Sequence, residues 1–204
     1  MPDAEEKSYH HGRLREALIN AAVEEVQAVG AAALSLREIA RRAGVSHAAP
    51  AHHFGDKAGI FTAIATEGFR LATATIGPAA TGKYGFLDGG AAYIGFALAH
   101  PGYFEVMFRP DLYHGDDPEL VAARDAAFQV LYGSARELVS AGPDEDVTGL
   151  VIAGWSMSHG FATLWLNANL NDRLGADPGD IAERIRDGLI TLGRFAERQR
   201  IDGD

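Results

Sequence analysis

Apolar residues recur at helical spacing along almost the whole chain, and no stretch of strand period of any length competes with them. The first apolar face runs up to Gly30, where a helix would end. It consists of Leu14, Leu18, Ala21, Ala22, Val26 and Val29. The periodicity therefore predicts an all-α fold.

A short second helix follows this first one. Ser35 and Glu38 form a capping-box pattern, in which the hydroxyl and the carboxylate can each satisfy a free backbone N–H. Behind them an apolar face ends at Gly44. Its members are Leu36, Ile39, Ala40 and Ala43.

A tight corner then leads to a third and a fourth helix. Gly44 can adopt a left-handed conformation, and Ser46 can cap a very short helix over residues 47–53. Phe54 and Gly55 end that helix, and Asp56 caps a longer one. Two short helices joined by a tight turn and packed on a longer helix are the helix-turn-helix layout.

The remaining chain is also predicted to be helical, after a connection rich in Gly, Pro, Ala and Thr at residues 77–85. Predicted helices cover 87–100, 103–108, 118–141, 147–170 and a last stretch that begins at Asp177. Residues 147–170 are apolar on nearly every face, so we expect a buried central helix there. The last helix carries Ile181, Ile185, Leu189, Leu192 and Phe195.

Charge distinguishes the amino-terminal part from the rest of the chain. The formal net charge is −10, which disfavours contact with nucleic acid, but residues 7–61 hold seven basic against five acidic residues. Five of the eight histidines also lie there. This segment is the part of the chain that a phosphate backbone would tolerate, although many solvated helical surfaces have a similar balance.

The chain contains no cysteine, which excludes disulfides, thiolate metal sites and thiol catalysis. Its opening is polar and acidic, and no apolar run approaches the roughly 20 residues that span a bilayer. We therefore expect a soluble cytoplasmic protein without membrane partners. We predict no cofactor. We also predict no metal at the pairs His10–His11 and His52–His53, because adjacent residues diverge on a helix and no carboxylate lies at ligand spacing.

Residues 34–57, LSLREIARRAGVSHAAPAHHFGDK, resemble the DNA-binding domain of the TetR (tetracycline-repressor) family, and the resemblance covers about residues 10–62. Residues 9–18, YHHGRLREAL, are similar to the lead-in of one branch of that family. Residues 155–160, WSMSHG, are similar to the Trp-His-Gly element of the same branch. The resemblance implies a three-helix helix-turn-helix domain over 10–62 and a larger helical effector-binding and dimerisation domain over 63–200.

Specific residues acquire roles from this resemblance. Ser46, as the cap, would turn the positive helix end toward phosphate, while His47, Ala48 and Ala49 would contact bases in the major groove. Arg37, His53 and Lys57 would contact the DNA backbone, and His52 is a further candidate. For His52 and His53, a solvated or core-packed histidine remains the alternative.

Two residues depart from the family pattern. Ala51 stands where the family usually has an aromatic side chain that packs against the DNA backbone. Pro50 would be the fourth residue of a helix that begins at His47, where its ring disturbs backbone bonding. We expect a distorted recognition helix and a lowered, but not abolished, affinity for each half-site.

Aromatic and soft side chains of the second part suggest an effector site. Trp155, His159 and Ala162 share a helical face, which places one polar ring among apolar neighbours. A core histidine and a ligand-orienting histidine both remain open, and the family resemblance implies a pocket. The predicted effector residues are Phe104, Met107, Phe108, Phe128, Trp155 and His159.

The resemblance implies a homodimer on double-stranded DNA, because the last two helices of this family pair across a two-fold axis. Two recognition helices one DNA turn apart predict a pseudo-palindromic operator. The predicted function is that of a transcriptional regulator, and specifically a repressor. A small apolar effector would release it from DNA or alter its DNA binding.

Two other functions compete with this prediction. Ser156 or Ser158 with His159 would suggest a hydrolase, but residues this close on one helix do not converge as nucleophile and base. The second alternative is a dimeric ligand-binding protein whose DNA-binding domain has decayed, which Pro50 and Ala51 favour. We predict no catalytic residues.

Overall fold

The computed structural model describes the backbone of residues 4–168, 170–175 and 177–201, and side chains from 13 onward except those of 169, 171, 176, 178, 189 and 192–204. The described residues form helices and no strand, which confirms the all-α prediction. The helices are α1 (Ala4–Val29), α2 (Leu36–Arg42), α3 (Ala49–Phe54), α4 (Lys57–Ile76), α5 (Gly85–Ala99), α6 (Pro101–Met107), α7 (Pro118–Val139), α8 (Thr148–Asn167), α9 (Leu170–Leu174) and α10 (Pro178–Ile201).

The chain divides into two compact units. Unit 1 comprises Met1–Leu71 and His100–Asp125, and unit 2 comprises Ala72–Ala99 and Ala126–Asp204. Residues 100–125 thus belong with the amino-terminal helices, whereas the predicted domains divide the chain at residue 62. The functional division into 10–62 and 63–200 stays a prediction.

Most predicted helix ends are confirmed, because the local signals for them are strong. Gly30, Gly44 and Gly55 have φ values of 80°, 68° and 77°, a left-handed backbone that glycine adopts without strain. Asp117 Oδ1 accepts the N–H groups of Glu119 and Leu120 at 3.0 Å and so caps α7. The predicted lead-in side chains Tyr9, His10 and His11 and the apolar side chains Leu189, Leu192 and Phe195 lie outside the described residues.

Unit 1 is built around α1. Leu18 and Val26 of α1 are fully or almost fully buried, as are Ile39 of α2 and Ile60 and Ile64 of α4. α1 packs against α2 and α6. Gly102 of α6 allows close approach to α1, because a Cβ there would come within 2.9 Å of the Val23 carbonyl oxygen.

Unit 2 packs α5 against α8 and α10. The two helices α5 and α8 approach so closely that a Cβ on Gly154 would lie 2.4 Å from the Phe86 ring. Phe86 forms a buried cluster with Ala135, Val147 and Val151. The position of α8 in this unit therefore depends on a glycine at 154.

The expectation of a buried central helix over residues 147–170 is wrong for this chain. α8 buries Val151 and Ala162, but Ile152 and Leu164 are 56% and 53% exposed. The apolar residues lie on several sides of α8, and this chain buries the side that carries Val151 and Ala162. Among the described residues, no helix combines the length and the apolar character that a bilayer crossing requires.

Candidate nucleic-acid interface and ligand site

The predicted capping box at the start of α2 does not form. Ser35 has the extended backbone of an N-cap residue, but its side chain makes no capping hydrogen bond. Glu38 instead accepts hydrogen bonds from Arg41, one turn later on the exposed surface. This pairing lowers the pKa of Glu38, chiefly through the hydrogen bonds from Arg41. The Glu38 carboxylate therefore binds the Arg41 guanidinium and not the backbone N–H group that the capping-box pattern predicted.

The start of the predicted recognition helix, α3, also differs from the expectation. α3 begins at Ala49 rather than His47, and its N-cap is Ala48 rather than Ser46. Ser46 contributes its backbone carbonyl, which accepts the Ala49 N–H at 3.0 Å. The later start places the fully buried Pro50 in the first helical turn. A proline there breaks no helical hydrogen bond, since the first amides of a helix have no intrahelical acceptor.

The residues predicted to contact bases lie in and beside the turn between α2 and α3. Ser46, His47 and Ala48 are exposed in the turn, and Ala49 is half-buried at the first helical position. The tight turn is held by the Val45 N–H, which donates to the Ala40 carbonyl at 3.0 Å. The prediction that these residues contact bases stays a prediction.

The residues predicted to contact phosphates surround this turn. Arg37 on α2 and His52 on α3 are exposed, and His53 is half-buried with its ring 5.7 Å from that of His52. Lys57 Nζ donates to the Ala32 carbonyl at 3.0 Å, which fixes the ammonium group beside the end of α1. Ala51, which stands where the family resemblance predicts an aromatic side chain, is exposed.

Two contacts that stabilise this arrangement were missed at the level of sequence. Arg42 Nε donates to Glu25 Oε2 at 2.8 Å, and Glu25 is only 5% exposed. The Arg15 guanidinium lies 5.5 Å from the centre of the Phe54 ring. A signal for the first contact exists, since Glu25 follows Leu18 and Ala22 on the buried helical face, where an acid needs a cation.

The predicted effector residues fall into two groups, one in each unit. In unit 1, Phe104 and Phe108 have ring centroids 5.5 Å apart, and Met107 is 2% exposed. In unit 2, Phe128 packs edge-on against Trp155 at 5.5 Å, and Trp155 lies 6.1 Å from His159.

Tyr93, which the sequence did not single out, joins the second group. Its hydroxyl lies 2.7 Å from His159 Nδ1, and Trp155 Nε1 donates to the same hydroxyl at 3.4 Å. Burial lowers the pKa of His159 and raises that of Tyr93. This imidazole nitrogen is thus engaged by a phenol, not by the serines of a hydrolase pair.

Family models match both parts of the chain. Residues 18–64 match the model of "Bacterial regulatory proteins, tetR family", and residues 86–189 match that of "Tetracyclin repressor-like, C-terminal domain". Among curated proteins, none matches this chain in sequence. The finer resemblance to the branch with a Trp-His-Gly element stays a prediction.

Solved structures share the fold over most of their length. A protein of unknown function from Rhodococcus sp. RHA1 is 32% identical, with a TM-score of 0.70, and the match covers 88% of this chain and 95% of that one. The TetR family transcriptional regulator PfmR from Thermus thermophilus is 20% identical, with a TM-score of 0.66 and coverages of 83% and 94%. The fatty acid degradation regulator FadR from Bacillus halodurans is 14% identical, with a TM-score of 0.61 and coverages of 84% and 95%.

Because one family's models match both the helix-turn-helix segment and the larger helical part, the chain belongs to the TetR family of transcriptional regulators.

Proposed function

We propose that this regulator is a repressor that binds a pseudo-palindromic operator as a homodimer and is released, or altered in its binding, by a small apolar effector. The observation that carries the proposal is the exposed turn formed by Ser46, His47 and Ala48 at the start of α3. These side chains are free of the core, while Pro50 directly behind them is fully buried and fixes the helix. Such a surface suits the major groove, where side chains at a helix start can contact base edges.

The exposed face of α8 supports the dimer. Met157 and Leu164 lie seven residues apart on one side of α8 and are 38% and 53% exposed, while Ile152, which is 56% exposed, lies on another side of the helix. Exposed apolar side chains such as these are typical of a protein–protein interface, and a two-fold pairing would cover Met157 and Leu164 in both copies. Two copies of α3 would then face successive turns of the same DNA face.

The effector would act through unit 2, where Phe128, Trp155 and His159 form the aromatic cluster. A ligand that prefers one conformation of the dimer shifts the population toward it, by as much as its affinities for the two conformations differ. If that conformation spaces the two copies of α3 wrongly, DNA binding weakens. The protein thus acts by binding and not by catalysis.

The first experiment is a selection from a random duplex library at one moderate salt concentration, followed by sequencing of the bound pool. We expect enrichment of two half-sites in inverted repeat. His47→Ala should change the enriched half-site, whereas Arg37→Ala should weaken binding to all sequences about equally and reduce the salt dependence. Arg173→Ala, an exposed change in unit 2, is the control. Absence of enrichment by folded, dimeric protein would contradict the proposal and favour a decayed DNA-binding domain.

A second variant tests the departure at position 51. Ala51 is exposed on α3, so Ala51→Tyr adds an aromatic side chain without disturbing the core. We expect several-fold tighter binding to the selected duplex, measured by fluorescence anisotropy, because the ring can pack against the DNA backbone. Unchanged or weaker binding would show that the small residue at 51 does not limit affinity.

A further inference from the structure

A short corner, residues 30–34, links α1 to α2, and we call it the α1–α2 corner. Gly30 has a φ of 80°, and a single 3₁₀ turn at Ala31–Ala33 follows it. Ala31 and Leu34 are 1% and 5% exposed, so both ends of this turn are buried. The direction in which α2 leaves the first helix therefore depends on how the α1–α2 corner is held.

The α1–α2 corner has a buried backbone donor that its own turn cannot satisfy. The first N–H groups of a helix have no intrahelical acceptor, and a buried one without a partner is unfavourable. Glu105 of α6 supplies the acceptor, since the Ala31 N–H donates to Glu105 Oε1 at 2.8 Å. Hydrogen bonds to carboxylates are among the stronger ones in proteins. The α1–α2 corner is thus held by a residue 74 positions further along the chain.

The position of Glu105 is fixed because α6 packs closely on two helices of unit 1. A Cβ on Gly102 would lie 2.9 Å from the Val23 carbonyl oxygen of α1. A Cβ on Gly68 of α4 would lie 2.7 Å from Met107 Sδ, and Met107 is 2% exposed. Gly102 and Glu105 are three residues apart, so they lie on one side of α6. Contacts this short leave α6 little freedom to move away from α1.

A second side chain holds the α1–α2 corner through its next peptide group. Lys57 Nζ, at the start of α4, donates to the Ala32 carbonyl at 3.0 Å. The carboxylate of Glu105 thus takes an N–H and the ammonium group of Lys57 takes a carbonyl, as the partial charges of the peptide require. Lys57 lies inside the matched segment 18–64, whereas Glu105 lies outside it.

We propose that Glu105 is a positioning residue for DNA binding. By holding the Ala31 N–H it fixes the α1–α2 corner, and with it the orientation of α2 and of the exposed turn at Ser46 and His47. Glu105 acts through this corner and not by touching DNA, since a carboxylate repels phosphate. This inference rests on the proposed function, because it names a residue on which the DNA binding proposed there depends.

A positioning role and a purely electrostatic role of Glu105 predict opposite changes in affinity. Loss of a carboxylate makes an acidic protein less repulsive to DNA, so without a positioning role Glu105→Ala should bind DNA equally or more tightly. With that role, fewer molecules carry a correctly oriented turn, and the apparent affinity falls by the same factor. We expect about tenfold weaker binding to the selected duplex, the equivalent of one lost hydrogen bond.

Two conservative variants separate the charge of Glu105 from its reach. Glu105→Asp keeps the charge but is one methylene shorter, so it should bind the selected duplex about as weakly as Glu105→Ala. Glu105→Gln loses the charge but keeps an acceptor oxygen at the same distance, so it should retain the wild-type affinity. Both changes are small enough that we expect folded protein, which circular dichroism checks.

Fluorescence anisotropy of the full-length protein at several salt concentrations measures these affinities. The dependence of affinity on salt should be the same in the wild type and the Glu105 variants, because no phosphate contact is lost, whereas Arg37→Ala should reduce it. A duplex of random sequence should bind all Glu105 variants about equally, since non-specific binding is electrostatic. Without DNA, NMR should show faster hydrogen exchange of the Ala31 amide in the Ala and Asp variants but not in the Gln variant.

Glu137 provides a matched control in unit 2. Its Oε2 accepts the Gly82 N–H at 3.0 Å, so it makes the same kind of hydrogen bond across 55 positions of the chain. Glu137→Ala should leave the affinity for the selected duplex unchanged. An equal loss of affinity in Glu137→Ala would overturn the inference, because the effect would then be one of general stability.

Four further results would overturn the inference: equal or tighter binding by Glu105→Ala, wild-type affinity in Glu105→Asp, a loss in Glu105→Gln as large as that in Glu105→Ala, or unchanged exchange of the Ala31 amide in Glu105→Ala. The proposed function is tested separately, by the selection with wild-type protein. If the wild type enriches no half-sites, the proposed function fails. If it enriches half-sites that every Glu105 variant binds as the wild type does, this inference alone fails.

Discussion

In unit 1 the buried Glu25 carboxylate is 2.8 Å from Arg42 Nε, whereas in unit 2 the buried Thr163 hydroxyl finds no partner among the described residues. The contrast extends to other polar groups of unit 1. Thr62 is 7% exposed and both donates to the Ala58 carbonyl and accepts from the His114 N–H. Polar groups that are satisfied inside the chain favour one fixed geometry, while an unsatisfied one leaves a place for an external group.

The largest expected effect tests the ion pair of unit 1. Arg42→Ala leaves the buried Glu25 carboxylate without its closest cation, and we expect a loss of about 2 kcal/mol in the free energy of unfolding. Arg41→Ala is the matched control, because Arg41 pairs with Glu38 on the exposed surface and its loss should change the free energy of unfolding far less. Urea unfolding measures both, and equal losses in the two variants would contradict the contrast between the units.

A smaller effect compares the two threonines directly. Thr62→Val leaves the His114 N–H without its acceptor, so we expect a loss of about 1 kcal/mol in the free energy of unfolding. Thr163→Val removes a hydroxyl that has no partner within the described chain and should leave ligand-free stability unchanged or slightly raised. Thermal unfolding without ligand distinguishes them. A loss in Thr163→Val as large as that in Thr62→Val would show that both hydroxyls are satisfied.

The smallest effect concerns pH. Burial lowers the pKa of His159 below its ordinary value of 6.5, so below that pH the unfolded chain binds the proton more readily than the folded one. The stability from neutral His159 is therefore complete above pH 6.5 and is lost as the pH falls through the folded pKa. The difference in unfolding free energy between the wild type and His159→Gln should shrink over that range. A difference that stays constant with pH would place His159 in contact with water.

Much of the fold could be predicted because its signals are local. Gly30, Gly44 and Gly55 end helices by a backbone conformation that glycine adopts readily, and Asp117 caps α7 through its own side chain. Where a local pattern had a competitor, the prediction failed. Glu38 pairs with Arg41 and not with the backbone of the helix start. α3 starts two residues later than predicted, at Ala49, which places Pro50 in the first helical turn.

The candidate sites divide in the same way. The sequence located the turn at Ser46 and His47 and the aromatic residues Trp155 and His159, because these follow from spacing along one or two helices. It missed Tyr93 and Thr163. Helical periodicity shows neither that the Tyr93 hydroxyl lies beside His159 nor that the Thr163 hydroxyl lacks a hydrogen-bond partner among the described residues. α8 was expected to be buried because its sequence is apolar on nearly every face. Apolar content predicts burial, but it does not show whether the same chain or another molecule covers the helix.

The sequence by itself determined where most helices begin and end, the helix-turn-helix segment and the family, because these depend on residues a few positions apart. The tertiary structure decided which polar groups meet: Glu25 with Arg42 across 17 positions, Tyr93 with His159 across 66, and the Ala31 N–H with Glu105 across 74. Hydrogen bonds require atoms within about 3 Å, and such proximity between distant residues arises only when packed helices bring them together.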